Sequence, residues 1–289
     1  VLEETQPEAF LLENVEGIGY AGKGEGLDFL VRLVSDVNAR AGTNYRPYYK
    51  ILAAADYGVP QLRQRFFMVA SRDGLQFRFP PRRFAPAEEL ESQLSFDDLE
   101  PYRTTWDALA NVAPDPDENL SMSGKWANLL PSIPEGQNYL WHTDRGGGLP
   151  LFGWRRRFWS FLLKIAKTKP SWTLQAQPGP ATGPFHWANR HLSMRELCRL
   201  QTFPDDVQIL GSRRVVQRQV GNAVPSLLAE VLARCIRAQF LGCPNSKPEP
   251  ILLPANRGPA PLPDPPAPVP ETFLPLKGQH SAHPGTGRG

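Results

Sequence analysis

Between residues 9 and 70 short apolar runs alternate with one long amphipathic stretch, and this succession restricts the chain to an α/β architecture. Ala9-Phe10-Leu11-Leu12 is continuously apolar, the pattern of a strand buried on both faces, and it ends at polar Glu13-Asn14. A glycine-rich loop follows. From Leu27 the apolar residues fall at Leu27, Leu30, Val31, Val34 and Val37, the one-sided spacing of an amphipathic helix that stops near Gly42. Tyr48 to Ala54 and Phe66 to Ala70 read as further strands, separated by the turn-like Asp56-Tyr57-Gly58-Val59-Pro60. Strand, helix, strand, turn, strand predicts half of a doubly wound sheet closing with a hairpin.

Beyond Phe84 the periodicity fails. From there to Arg190 turn residues, Trp and Arg dominate, which predicts a second, smaller, irregular and β-rich module. Its most basic stretch is Trp154-Arg155-Arg156-Arg157-Phe158-Trp159, followed by Lys164, Lys167 and Lys169. Helical patterning then resumes. Ser193 and Glu196 form a capping box, Leu192 and Leu197 sit where a hydrophobic staple places them, and Pro204 ends the element. A last helix starts at Pro225 and carries Leu228, Val231, Leu232, Cys235 and Ile236 on one face, to be packed on the first sheet. Of the 31 prolines, 13 lie in residues 244 to 289. That segment is expected to be a disordered or polyproline-like tail, with a Pro-rich recognition ligand as the sharper alternative. The resulting division is 1–83, 84–190, 191–243 and 244–289.

Composition excludes several classes. With 41% hydrophobic and 21% charged residues among 289, the chain reads as a soluble globular protein that can bury a core without staples. Three widely spaced cysteines, Cys198, Cys235 and Cys243, support neither a disulfide framework nor a zinc site, and no metal is expected; a reducing cytoplasm fits best. No apolar run reaches membrane-spanning length. Position 1 is Val, consistent with a chain that starts mid-protein. A net charge of +3 does not by itself identify nucleic acid.

Four stretches could carry chemistry. Gly17, Gly19 and Gly22 match a G-x-G-x-x-G spacing, but the acidic residue that a dinucleotide site requires is not placed, and a flexible strand-to-helix loop accounts for them. Glu13-Asn14 stands at a strand's carboxyl end, where open α/β sheets bind ligands; a carboxylate there serves as a general acid or as a helix cap. In extended chain Gln61, Arg63 and Arg65 share one side, either as guanidiniums converging on an anion or carbonyl oxygen or as a solvated basic edge. Gln219-Val220-Gly221-Asn222-Ala223-Val224-Pro225 reads as a Gly-Asn turn between two helices.

Taken in order, these pieces resemble the later motifs of bacterial DNA cytosine-C5 methyltransferases. Phe10-Leu11-Leu12-Glu13-Asn14-Val15 resembles the Glu-Asn-Val motif, and Asp56 to Arg65 the Gln-x-Arg-x-Arg motif. Arg190 to Pro204 resembles the helix that braces the target-recognition domain, and Gln219 to Pro225 the Gln-x-Gly-Asn-Ala-Val-Pro motif. The resemblance covers about residues 8 to 240 and implies the second half of an S-adenosylmethionine-dependent methyltransferase sheet in 1–83. It implies a target-recognition domain in 84–190 and helices returning to the catalytic domain in 191–243.

The resemblance further implies a reaction on double-stranded DNA. The target cytosine is flipped into a pocket, a Cys thiolate attacks C6, and C5 takes the methyl group of S-adenosylmethionine. Glu13, followed by Asn14, corresponds to the carboxyl that engages N3. Arg65, with Arg63, corresponds to the arginines that hold O2 and brace the site, and Asn222 and Ala223 to the turn that closes the cofactor pocket. Gln61, Arg155, Arg156, Arg157 and Lys164 become candidate DNA contacts. A cognate restriction endonuclease is the implied functional partner. The family's Phe-x-Gly-x-Gly cofactor loop and Pro-Cys nucleophile precede Glu-Asn-Val, whereas 12 residues precede Glu13 and no cysteine follows a Pro. The chain is therefore expected to be inactive alone: a C-terminal portion, one subunit of a split enzyme whose other chain supplies those motifs, or a DNA-binding remnant.

Overall fold

The computed structural model describes residues 1–19, 25–92, 98–154, 158–243 and 249–278. Strand β1 (Ala9–Val15) leads through a loop into helix α1 (Glu25–Ala41) and on to strand β2 (Tyr48–Ala53), after which strand β3 (Gln64–Ser71) returns. β3 lies between the other two and is antiparallel to both, so β1 and β2 run parallel to each other on its flanks. The β2–β3 hairpin is the one the turn residues predict. Its central strand is the continuous apolar run: Phe66, Phe67, Met68, Val69 and Ala70 are all at most 1% exposed, as a strand covered on both faces must be. β1 departs from expectation. Among the described residues it has one strand neighbour, and Leu11 is 42% exposed, so this run is only partly covered there. Helix α1 ends as predicted, with Gly42 at φ +67° and Val34 buried against Tyr45 and Ala70.

The chain divides into two units, residues 1–102 with 224–253 and residues 103–223 with 254–289. This corrects the sequence boundaries. Residues 84–102 stay with the sheet because Phe84–Ala85 pairs with Glu100–Pro101 and the Tyr102 hydroxyl donates to Asp56 at 2.6 Å. Helix α4 (Ser226–Phe240) also belongs there, burying Leu227, Leu228 and Leu232 against Leu52, Tyr57 and Phe67.

The second unit holds helices α2 (Met194–Leu200) and α3 (Arg213–Asn222), which the sequence division had assigned to the catalytic side. They pack with the short helix Thr105–Leu109 around Leu109, Leu174, Leu192, Leu197 and Val220. The capping box on α2 is formed in both directions, Glu196 N–H to Ser193 Oγ at 3.1 Å and Ser193 N–H to the Glu196 carboxylate at 2.8 Å. Leu192 and Leu197, the staple pair, are both buried. The rest of this unit is irregular, and its described residues are not β-rich. Its described residues form 3-10 turns at Ala127–Ser132 and Tyr139–His142 and isolated bridges such as Phe161–Thr182. An aromatic core replaces the sheet, with Trp126, Tyr139, Phe152 and Phe161 in edge or tilted contacts at 5.6 to 6.3 Å.

The Pro-rich segment is also corrected, since residues 249–278 are ordered. Ile251 and Leu252 donate their N–H groups to the Glu230 carboxylate, at 2.7 and 2.9 Å, and Leu252 and Leu253 join the first unit's core. In the second unit Arg257 donates its N–H to Asp107 at 2.8 Å, Ala267 N–H reaches the Pro131 carbonyl at 3.0 Å, and Phe273 is 4% exposed and stacked on Trp126. Few apolar residues suffice because proline has already lost much of the conformational freedom that ordering removes. Residues 244–248 and 279–289 lie outside the described residues.

Candidate active site

The register of the sheet brings the first pair together. Glu13 lies opposite Phe67, and Arg65 is two residues along β3 from Phe67, so the two side chains are diagonal neighbours on one face. Arg65 Nε is 3.0 Å from Glu13 Oε1, with side-chain exposures of 15% and 27%. A second guanidinium nitrogen of Arg65 donates to the Gln64 carbonyl at 2.7 Å and fixes the fork. Asn14 is exposed, and its Oδ1 accepts from the Val15 N–H at 2.8 Å.

Arg63 is fully buried. Desolvation, then the neighbouring Arg65 charge, pushes its guanidinium down to about 10, with Glu13 opposing. Its backbone carbonyl accepts from Ala54 N–H at 2.8 Å. The arrangement offers a carboxylate beside a planar array of donors, the equipment for gripping a ring that carries adjacent polar atoms.

Two expected DNA contacts are corrected. Lys164 is 3% exposed, and its Nζ donates to the Ile133 carbonyl in the interior of the second unit, where no phosphate reaches it. Burial pushes this ammonium down to about 8. Gln61 is likewise fully buried and closed to a nucleic acid surface. Arg155, Arg156 and Arg157 lie outside the described residues, although the flanking Trp154 and Trp159 are 39% and 40% exposed.

In the second unit Gly221 and Asn222 are the last turn of α3 and not a turn between helices. Gly221 is there for close approach: a Cβ at this position would lie 2.5 Å from Ala176 Cα and 2.6 Å from Ala176 N. Asn222 is exposed at the helix end and Ala223 is half-buried, while Gln201 Nε2 donates to the Val220 carbonyl at 2.6 Å and steadies the terminus. Burial pushes the Cys198 and Cys235 thiols up, away from the thiolate that nucleophilic work needs.

The sequence did not single out the ionic core of the second unit. Arg190 makes a two-pronged contact with the buried Glu196 carboxylate, both bonds at 2.8 Å, and His186 Nε2 lies 3.5 Å from the same carboxylate. Burial holds His186 down to about 4, against the pull of Glu196. The signal was present in the Arg190 to Glu196 spacing, but nothing in that spacing announces burial.

The comparisons with known proteins agree with these motifs. A family model described as C-5 cytosine-specific DNA methylase matches residues 1–238. The chain belongs to this family. Among relatives of the C-5 cytosine-specific DNA methylase family, Type II methyltransferase M.SacI of Streptomyces achromogenes is 42% identical over 250 residues, 83% of this chain and 62% of the relative. M.NgoFVII of Neisseria gonorrhoeae is 31% identical, covering 81% of this chain and 60% of the relative. M.BbvI of Brevibacillus brevis is 29% identical, covering 83% and 61%. The chain thus spans about three-fifths of the length of the curated relatives it matches. No helix among the described residues is long and apolar enough to cross a membrane.

Proposed function

We propose that this chain is the C-terminal portion of a restriction-modification cytosine-C5 methyltransferase acting on a flipped cytosine in double-stranded DNA. The observation that carries the reading is the Glu13–Arg65 pair, 3.0 Å apart on one face of the sheet, with Arg63 buried two residues before Arg65. The Glu13 carboxyl engages N3 of the extruded base and draws charge from the ring, which makes C6 electrophilic. Arg65 presents its remaining donors to O2. When bound, S-adenosylmethionine supplies the methyl group to C5, and Asn222 and Ala223 line the side of its pocket that this chain provides. The second unit serves as the target-recognition domain. A thiolate from a polypeptide carrying Pro-Cys completes the site, so the 289-residue chain alone does not turn over.

The test is methyl transfer from labelled S-adenosylmethionine to duplex DNA. The isolated chain is expected to give none. Adding a polypeptide that carries the cofactor loop and Pro-Cys is expected to restore transfer, and Glu13→Gln in that mixture to lower kcat by roughly 100- to 10,000-fold. Turnover by the chain alone overturns the dependence on a second segment. Sequence-selective binding without transfer, even in the mixture, makes the chain a DNA-binding remnant.

A further inference from the structure

The second unit carries one loop built to hold a cation in place. Residues Thr143 to Gly148 leave the 3-10 turn Tyr139–His142 and return at once, pinned at the base by three contacts. Gly148 N–H donates to the Trp141 carbonyl at 3.0 Å, Leu151 N–H donates to the His142 carbonyl at 2.9 Å, and His142 Nδ1 lies 2.9 Å from the Leu149 carbonyl. His142 is itself anchored through Nε2, 2.8 Å from Ser132 Oγ. Gly146, Gly147 and Gly148 wrap the Trp141 residue so closely that a Cβ on any of them would meet Trp141 at 2.2 to 2.5 Å. The loop is therefore specified by sterics, residue by residue.

What it displays is Arg145. The residue is exposed, its guanidinium lies 4.2 Å from the centroid of the Trp154 ring, and among the described residues it makes no ion pair. That distinguishes it from Arg190, Arg199 and Arg213 of the same unit, each of which faces a carboxylate. Holding a guanidinium over an indole face leaves donors at its edge free for a further partner. A planar fork with unspent donors fits a bidentate acceptor pair, and the pair that duplex DNA displays in its major groove is O6 and N7 of guanine.

We propose that Arg145, held over the Trp154 ring, is a specificity-determining residue that reads a guanine in the target site. This rests on the reading of the second unit as the target-recognition domain. The experiment is selection from a randomised duplex library, followed by titration of the selected and scrambled duplexes, on the 289-residue chain and its Arg145→Lys and Arg145→Ala variants. Both substitutions are at an exposed side chain and leave the loop backbone intact. The wild-type chain is expected to select a motif containing guanine. Arg145→Lys is expected to keep its affinity for scrambled duplex and lose roughly 10- to 100-fold of discrimination at one guanine position, and Arg145→Ala to lose the same discrimination. If both variants select the wild-type motif with undiminished discrimination, the assignment of Arg145 is wrong while the recognition role of the unit stands. If the wild-type chain selects no motif, the recognition role fails and the assignment fails with it.

Discussion

Lys164 carries an ammonium into an apolar interior, and its titration follows from that. Burial lowers its folded pKa to about 8, against an ordinary value of 10.5, with Glu135 opposing. Between those values the unfolded chain binds the proton more tightly, so stability rises with pH from about 8 toward 10.5 and is lowest below 8. Urea midpoints of the second unit between pH 7.5 and 10 are expected to climb in the wild-type chain; Lys164→Met is expected to remove that rise. At this scale the sequence was legible where a residue's role depends on chain neighbours. Glu13 and Arg65 are named by their motifs, and their separation follows once the strands pair. Lys164 and Gln61 were misread because a basic or polar residue in a basic stretch looks the same whether it faces water or core.

Element boundaries depend on local chemistry, and α2 shows how far that goes. Ser193 and Glu196 cap it through bonds that involve only residues three apart, so the helix start was readable without the fold. Ser193→Ala removes the side-chain acceptor for the Glu196 N–H and is expected to cost the second unit about 1 kcal/mol in a urea titration. The end of α3 was not readable, because what selects Gly221 is the backbone of residues 175 and 176, forty-odd positions away. Gly221→Ala forces a Cβ against that backbone and is expected to cost roughly 1 to 3 kcal/mol, as overpacking does. β1 illustrates a related limit: an apolar run announces a strand, but the number of neighbours that cover it is a property of the sheet.

For the molecule as a whole, the segment after α4 has the largest consequence. It lies past residue 238, where the match to the family model ends, yet Phe273 is 4% exposed and stacked on Trp126 at 5.7 Å. Phe273→Ala is expected to destabilise the second unit by about 3 to 5 kcal/mol, the usual cost of emptying an aromatic site in a core, with loss of near-ultraviolet circular dichroism. A disordered tail would give no change. The sequence by itself determined the α/β order of the first unit, the capped helix α2 and the four motifs that mark the family, because each rests on periodicity or on groups a few residues apart. Tertiary structure alone decided where the two units divide, which polar side chains are buried, how Arg145 is held and that the Pro-rich segment is part of the core. Those outcomes depend on contacts between residues far apart in the chain, and composition carries no record of what a side chain will meet.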